Sequence, residues 1–128
     1  MNEKVIALLK KQLWTLGTYG TEPNAVPVAF KDVTADGKLL VGDVFLDATL
    51  QNIRRNGQIA VSAFDAQSME GYQIKGTAEY ITDGPLVADF KKAVETMFKG
   101  AATAKWALEI TPKKVIVTTP GPDNKNVL

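Results

Sequence analysis

Seven short β-prone runs, each bounded by turn residues, fill most of the 128-residue chain and limit the folds open to it. The runs are rich in Val, Ile, Thr and aromatic residues, and Gly, Pro, Asn or Asp residues separate them. Seven strands are too many for one flat two-layer sheet of this size. The pattern therefore predicts a mainly β protein, a closed or split β-barrel with antiparallel strands in meander or Greek-key order and a few helices. The runs are 13–20, 25–33, 38–42, 58–65, 71–82, 105–111 and 113–119.

Turn residues indicate how neighbouring runs connect. Pro23 and Asn24 predict a turn between the first two runs, and Asp36-Gly37 is the strongest short hairpin signal. We therefore expect the first three strands to pair in chain order, and Pro112 to separate the last two strands.

Three helices are expected around these strands. Asn2 is a suitable N-cap for the first, and Asp47 for a short second helix over 48–55. Apolar residues at spacings of three and four predict a third helix that begins near Pro85 and ends at Gly100.

The composition excludes several classes of chemistry. The chain has no cysteine and no histidine, which removes disulfides, thiolate metal sites, cysteine nucleophiles and an imidazole base. Its two serines, Ser62 and Ser68, lie outside any G-x-S-x-G pattern. Any reaction would therefore be carried by a bound cofactor.

The charge pattern predicts neither a nucleic-acid nor a membrane partner. Fifteen basic and fourteen acidic residues are interspersed, giving a net charge of +1. An oligonucleotide-binding barrel would need aromatic residues among basic ones on one strand face, and no such stripe occurs. No apolar run approaches the ~18 residues of a membrane span, and the start lacks a signal-peptide pattern. We expect a single domain over 1–128 in the cytoplasm.

Four blocks carry a family resemblance through their order and spacing. Together they resemble the FMN-binding split-barrel family related to pyridoxamine 5′-phosphate oxidase, in particular its short FMN-binding proteins. That resemblance implies an FMN cofactor lying across the interface of a homodimer. The blocks are AVPVAFKDV (25–33), DGKLLVGDVF (36–45), ATLQNIRRNGQIAVSAFD (48–65) and EGYQIKGTAEYITDGP (70–85).

The resemblance places the FMN phosphate beside the start of the short helix, at Ala48 and Thr49. Backbone amides there and the Thr49 hydroxyl would donate to a phosphate; the alternative is that Thr49 only caps the helix. The family usually has lysine where this chain has Ala48, and losing that contact would weaken binding by about 1.5–3 kcal/mol. Candidates to replace the cation are Lys31, Arg54, Arg55 and Lys75.

The flavin ring, by the same resemblance, lies against Pro27, Val28 and Ala29 of the second strand. Pro27 has no N–H to donate, so it would act only as a wall or carbonyl acceptor, or as an edge-strand proline without a ligand.

Five further residues are assigned to the flavin site through the resemblance. Gly42, Asp43 and Phe45 would border the ribityl chain and ring, with Asp43 alternatively capping a turn. Gln73 is the polar candidate on its strand. Trp106 corresponds to an aromatic residue that the family brings from the partner subunit, or else is a core or dimer contact.

The expected function is that of an FMN-binding homodimer, either a flavin-dependent oxidoreductase or an electron carrier. Oxidation of pyridoxamine phosphate itself is not expected, because two arginines and no histidine leave few groups for the substrate phosphate. The alternative is a small β-barrel binding or structural protein that has lost FMN.

Overall fold

The computed structural model describes residues 1–128, which form seven strands and three helices. This architecture confirms the mainly β prediction. In chain order the elements are α1 (Glu3–Lys11), β1 (Trp14–Tyr19), β2 (Pro23–Val28), β3 (Lys31–Val33), β4 (Leu39–Asp43), α2 (Ala48–Asn56), β5 (Gln58–Phe64), β6 (Gly71–Ile81), α3 (Pro85–Phe98) and β7 (Trp106–Val117).

All strands belong to one antiparallel sheet whose two edges are joined by a very short connection. The strand order is β2-β1-β5-β6-β7-β4-β3, so β2 and β3 form opposite edges. Only Ala29 and Phe30 link them, and three peptide units span at most about 11 Å. The sheet must therefore curl until its edges meet at this point, which gives the half-barrel expected for a split barrel. The Gly42 N–H donates to the Phe30 carbonyl (2.9 Å) and fastens the connection to β4.

The first predicted turns are partly wrong. Asp36-Gly37 does connect the antiparallel pair β3–β4, but run 25–33 is two strands, so the expected meander stops at Val28. Pro23 and Asn24 lie in β2, paired with β1, and do not form the turn itself.

The last two predicted strands are one. Pro112 lies inside β7 and pairs with Gly76 of β6, where the register shifts by a bulge. A Cβ at Gly76 would collide with the Thr111 carbonyl. The bulge and the missing side chain let β7 continue through its proline.

Helix starts follow the prediction at α1 and differ at α2. The Asn2 side chain accepts from the Val5 N–H (3.0 Å) and caps α1. Asp47 precedes α2 but makes no capping bond, since its carboxylate accepts from the Gln51 side chain instead (3.1 Å). The first amides of α2 therefore have no side-chain cap.

Two apolar clusters hold the elements together. The larger one fills the half-barrel and includes Trp14, whose indole N–H donates to the Leu9 carbonyl (2.7 Å). The smaller one lies between α3 and β4–β7. None of the three helices combines the length and apolar character needed to span a bilayer.

Candidate functional site

A cavity of about 560 Å³ opens where the β2–β3 connection, the end of β4 and the start of α2 meet. Its size falls within the ~300–1,000 Å³ usual for small-molecule sites. Nine of its fourteen lining residues are hydrophobic, so its walls suit a flat apolar ring.

Seven of the ten residues assigned to the flavin from the sequence line this one cavity. They come from three separate blocks of the sequence that the curled sheet brings together. Their contact with a flavin stays a prediction. The seven are Pro27, Val28, Ala29, Gly42, Phe45, Ala48 and Thr49.

Asp43, Gln73 and Trp106 do not line the cavity. Side chains alternate along a strand, and because Gly42 and Val44 line the cavity, Asp43 points to the other side, where it is 1% exposed. Gln73 lies in β6, separated from edge strand β2 by β1 and β5.

Asp43 instead belongs to a buried polar cluster beside the cavity. Its Oδ1 accepts from the Leu46 N–H (3.1 Å) and so shapes the loop leading to α2. Its Oδ2 and the Tyr80 hydroxyl are buried close to each other, and neither has any other hydrogen-bond partner. Burial raises the pKa of the Asp43 carboxyl, against the smaller effects of the Leu46 N–H and of Lys105.

Tyr80 and Trp106 form the aromatic wall of that cluster. Their rings pack edge to face with centroids 5.6 Å apart. The Arg54 guanidinium lies over both, 6.0 Å from the Tyr80 ring and 5.5 Å from the Trp106 ring. Burial, followed by the nearby Asp43 carboxylate, raises the pKa of Tyr80. Trp106 thus has a packing role within its own subunit, and its place beside a partner's flavin stays a prediction.

Neutral polar groups occupy the end of the cavity where the phosphate was expected. Thr49 is 1% exposed, and its hydroxyl accepts from the Asn24 amide (3.0 Å). The same Asn24 amide donates to the Thr18 hydroxyl (3.2 Å), which also accepts from Asn52 (3.0 Å). Thr49 keeps its own proton for a ligand, but it is held in a network of uncharged groups.

The four candidate cations lie outside the cavity lining. The Lys31 ammonium donates to the carbonyls of Leu9 (3.0 Å) and Lys10 (3.1 Å) at the end of α1. Arg54 covers the aromatic pair. The other two, Arg55 beside Gly20 and Lys75 exposed on β6, are equally absent from the lining.

Seven lining residues were not predicted as site residues. Asn24 was not predicted because the Pro23-Asn24 pair indicated a turn. Phe98 was not predicted because it fits the apolar face of α3. Phe98 reaches the cavity because it packs on Phe30 of the β2–β3 connection, with ring centroids 6.1 Å apart. The one sequence signal for these residues was the unbroken apolar run AVPVAF, which contains Val26 and Phe30. The seven are Asn24, Val26, Phe30, Val44, Leu46, Asp47 and Phe98.

The cavity fits one part of FMN better than the other. Apolar walls and the free backbone edge of β2 suit the isoalloxazine ring. The expected phosphate end offers amides of α2 and the Thr49 hydroxyl, but its only ionisable lining residue is Asp47, an acid. The ring is well accommodated, and the phosphate lacks a cation.

Comparisons with known proteins agree with this architecture. The sequence model of the pyridoxamine 5′-phosphate oxidase family matches residues 1–120. An uncharacterized protein of Methanocaldococcus jannaschii is 28% identical over 127 residues, which cover 96% of this chain and 84% of that protein.

Two solved structures share the fold. An FMN-binding protein from Syntrophomonas wolfei superposes with a TM-score of 0.80 at 16% identity, covering 94% of this chain and 87% of that one. HupZ from Group A Streptococcus superposes with a TM-score of 0.77 at 22% identity, covering 96% and 98%.

Proposed function

The chain belongs to the pyridoxamine 5′-phosphate oxidase family, and from that premise we propose that it is a homodimeric flavoprotein that binds FMN in the cavity between β2, β4 and α2. It acts as an oxidoreductase or electron carrier. The observation that carries this proposal is the meeting of seven residues, assigned to the flavin by resemblance, around one 560 Å³ apolar cavity.

In this proposal different residues of the chain contact different parts of the flavin ring. Edge strand β2 pairs only with β1, so half of its backbone groups face away and can hydrogen-bond the polar edge of the ring. Phe45, 79% exposed at the cavity mouth, covers a face of the ring. A bound flavin would exchange electrons with a small donor or acceptor.

A face of small side chains next to the cavity supports the homodimer. The strand register places Pro27 of β2 beside Thr15 of β1, which is followed by Ser62 of β5 and Gln73 of β6. A parallel row runs through Ala25, Gly17 and Ala60 and reaches the exposed Lys75 of β6. Such a flat surface allows a second copy to approach closely, and Pro27 joins it to the cavity rim.

The competing proposal is a barrel that has lost FMN, and Ala48 in place of the family's lysine favours it. Purification of the full chain separates the two. A yellow protein whose released flavin is identified by chromatography supports the flavoprotein, whereas a colourless protein that takes up no added FMN or riboflavin refutes it.

The homodimer is tested separately by sedimentation equilibrium. A dimer at micromolar concentration is expected, and a stable monomer that still binds flavin would remove dimerisation from the proposal. The proposed setting is the cytoplasm, as expected from the sequence.

A further inference from the structure

We infer that the cavity holds a flavin chiefly by its ring and not by its phosphate, so that FMN binds no more than about tenfold more tightly than riboflavin, less than a hydrogen bond from a lysine or arginine to the phosphate would confer. The inference rests on the proposed function, because it concerns the same cavity.

The charge of the lining is the first step. Among fourteen lining residues only Asp47 is ionisable, and it lies at the start of α2, where the phosphate was expected. Its carboxylate would repel a phosphate dianion. The polar atoms that remain belong to backbone groups and to the neutral side chains Asn24 and Thr49.

The second step is that three of the four candidate cations of this chain are engaged or distant. Lys31 makes two hydrogen bonds to the carboxyl end of α1, and Arg54 lies over two aromatic rings. Arg55 is seven residues beyond Ala48 in α2, about 10 Å further along the helix axis. A move of Arg54 to the phosphate would uncover the aromatic pair.

The helix start does not replace the missing cation. The first amides of α2 lack a side-chain cap and can donate to a phosphate, but the helix dipole by itself changes affinity by a factor of only roughly two to five. Asp47, one residue before the helix, opposes even that attraction.

The ring, in contrast, meets a large apolar surface. Phe45 is the most exposed large hydrophobic residue of the chain, and Phe30 and Phe98, which also line the cavity, pack together. Exposed aromatic side chains around a concave site are typical of surfaces that stack on a planar ligand. Both riboflavin and FMN carry that ring, so both gain this contact.

The test is a fluorescence titration of flavin-free, full-length protein with riboflavin and with FMN, at low and at high salt. The expected result is a dissociation constant for FMN no less than about one tenth of that for riboflavin. Salt should not weaken FMN binding, since no ion pair holds its phosphate and screening lowers the repulsion from Asp47.

Two results would overturn the inference and are distinguishable from each other. FMN binding more than about tenfold tighter than riboflavin, with an advantage that salt weakens, refutes ring anchoring and leaves the flavoprotein intact. Failure of both flavins to bind refutes the proposed function together with the inference.

A matched variant, Asp47→Asn, removes the single lining charge and should tighten FMN but not riboflavin by a few-fold.

Discussion

Ala48→Lys restores the cation that the family has at the start of α2, and it probes the phosphate position directly. Ala48 is exposed and lines the cavity, so the longer side chain needs no repacking. A charge-assisted hydrogen bond to phosphate contributes about 1.5–3 kcal/mol. A competing exposed pair with Asp47 would cost up to about 1 kcal/mol of that gain. The net gain of roughly 0.5–3 kcal/mol corresponds to FMN binding about two- to 160-fold tighter.

The assay is the same fluorescence titration, with Ala48→Gln as a control of similar length without charge. We expect Ala48→Lys to tighten FMN at low salt, to lose most of that gain at high salt, and to leave riboflavin unchanged. Equal FMN affinities for the lysine and glutamine variants would show that the phosphate does not lie beside residue 48. An equal gain in riboflavin affinity would show that the substituted side chain acts on the ring and not on the phosphate.

Three further substitutions test other parts of the account. Phe45→Ala should weaken riboflavin and FMN alike by roughly two- to tenfold, as expected for one lost aromatic contact, without lowering the melting temperature, because Phe45 is 79% exposed; an effect on FMN alone would contradict ring stacking. Gly42→Ala should destabilise the fold by about 1–3 kcal/mol in urea unfolding, since its Cβ would meet the Phe90 ring at 2.8–3.2 Å; an unchanged midpoint would refute the close α3–β4 packing. Asp43→Asn should raise the free energy of unfolding at neutral pH by about 1 kcal/mol, because it removes a carboxyl group whose charged form is disfavoured by burial. Burial raises the pKa of Asp43 above its ordinary value of 3.8. The contribution of Asp43 to the stability of the wild-type protein is therefore full below pH 3.8 and is lost as the pH rises through the pKa of the folded state. The advantage of the variant should therefore vanish in acid, where Asp43 is protonated beside Tyr80, Arg54 and Lys105, and an advantage that persists there would refute this cause.

The strand content of the fold could be predicted from the sequence, but its closure could not. Alternation and turn residues located the β-prone runs, and Asp36-Gly37 marked a true hairpin. Nothing in AVPVAFKDV shows that the chain leaves one sheet edge at Val28 and joins the other at Lys31. That step depends on the twist of strands distant in sequence, which no local pattern contains.

The residues of the candidate site, like the fold, could be predicted only in part from the sequence. Residues on the matching blocks could be assigned by resemblance, and alternation alone would have turned Asp43 away from its neighbour Gly42. Phe98 could not have been found, because it reaches the cavity only through the packing of α3 against the β2–β3 connection. The sequence indicated Asp47 as a helix cap. That it is the single charged residue of the lining follows only from the structure, which places the candidate cations outside the cavity.

The central claim is that a flavin occupies the cavity between β2, β4 and α2, and a crystal structure of the protein with bound FMN tests it most directly. We predict the isoalloxazine ring between Pro27 and Phe45, with the phosphate at the solvent side of Ala48 and without a lysine or arginine of the same chain in contact. An isoalloxazine ring bound elsewhere, such as in the polar hollow lined by Tyr72 and the C-terminal tail, would contradict the account.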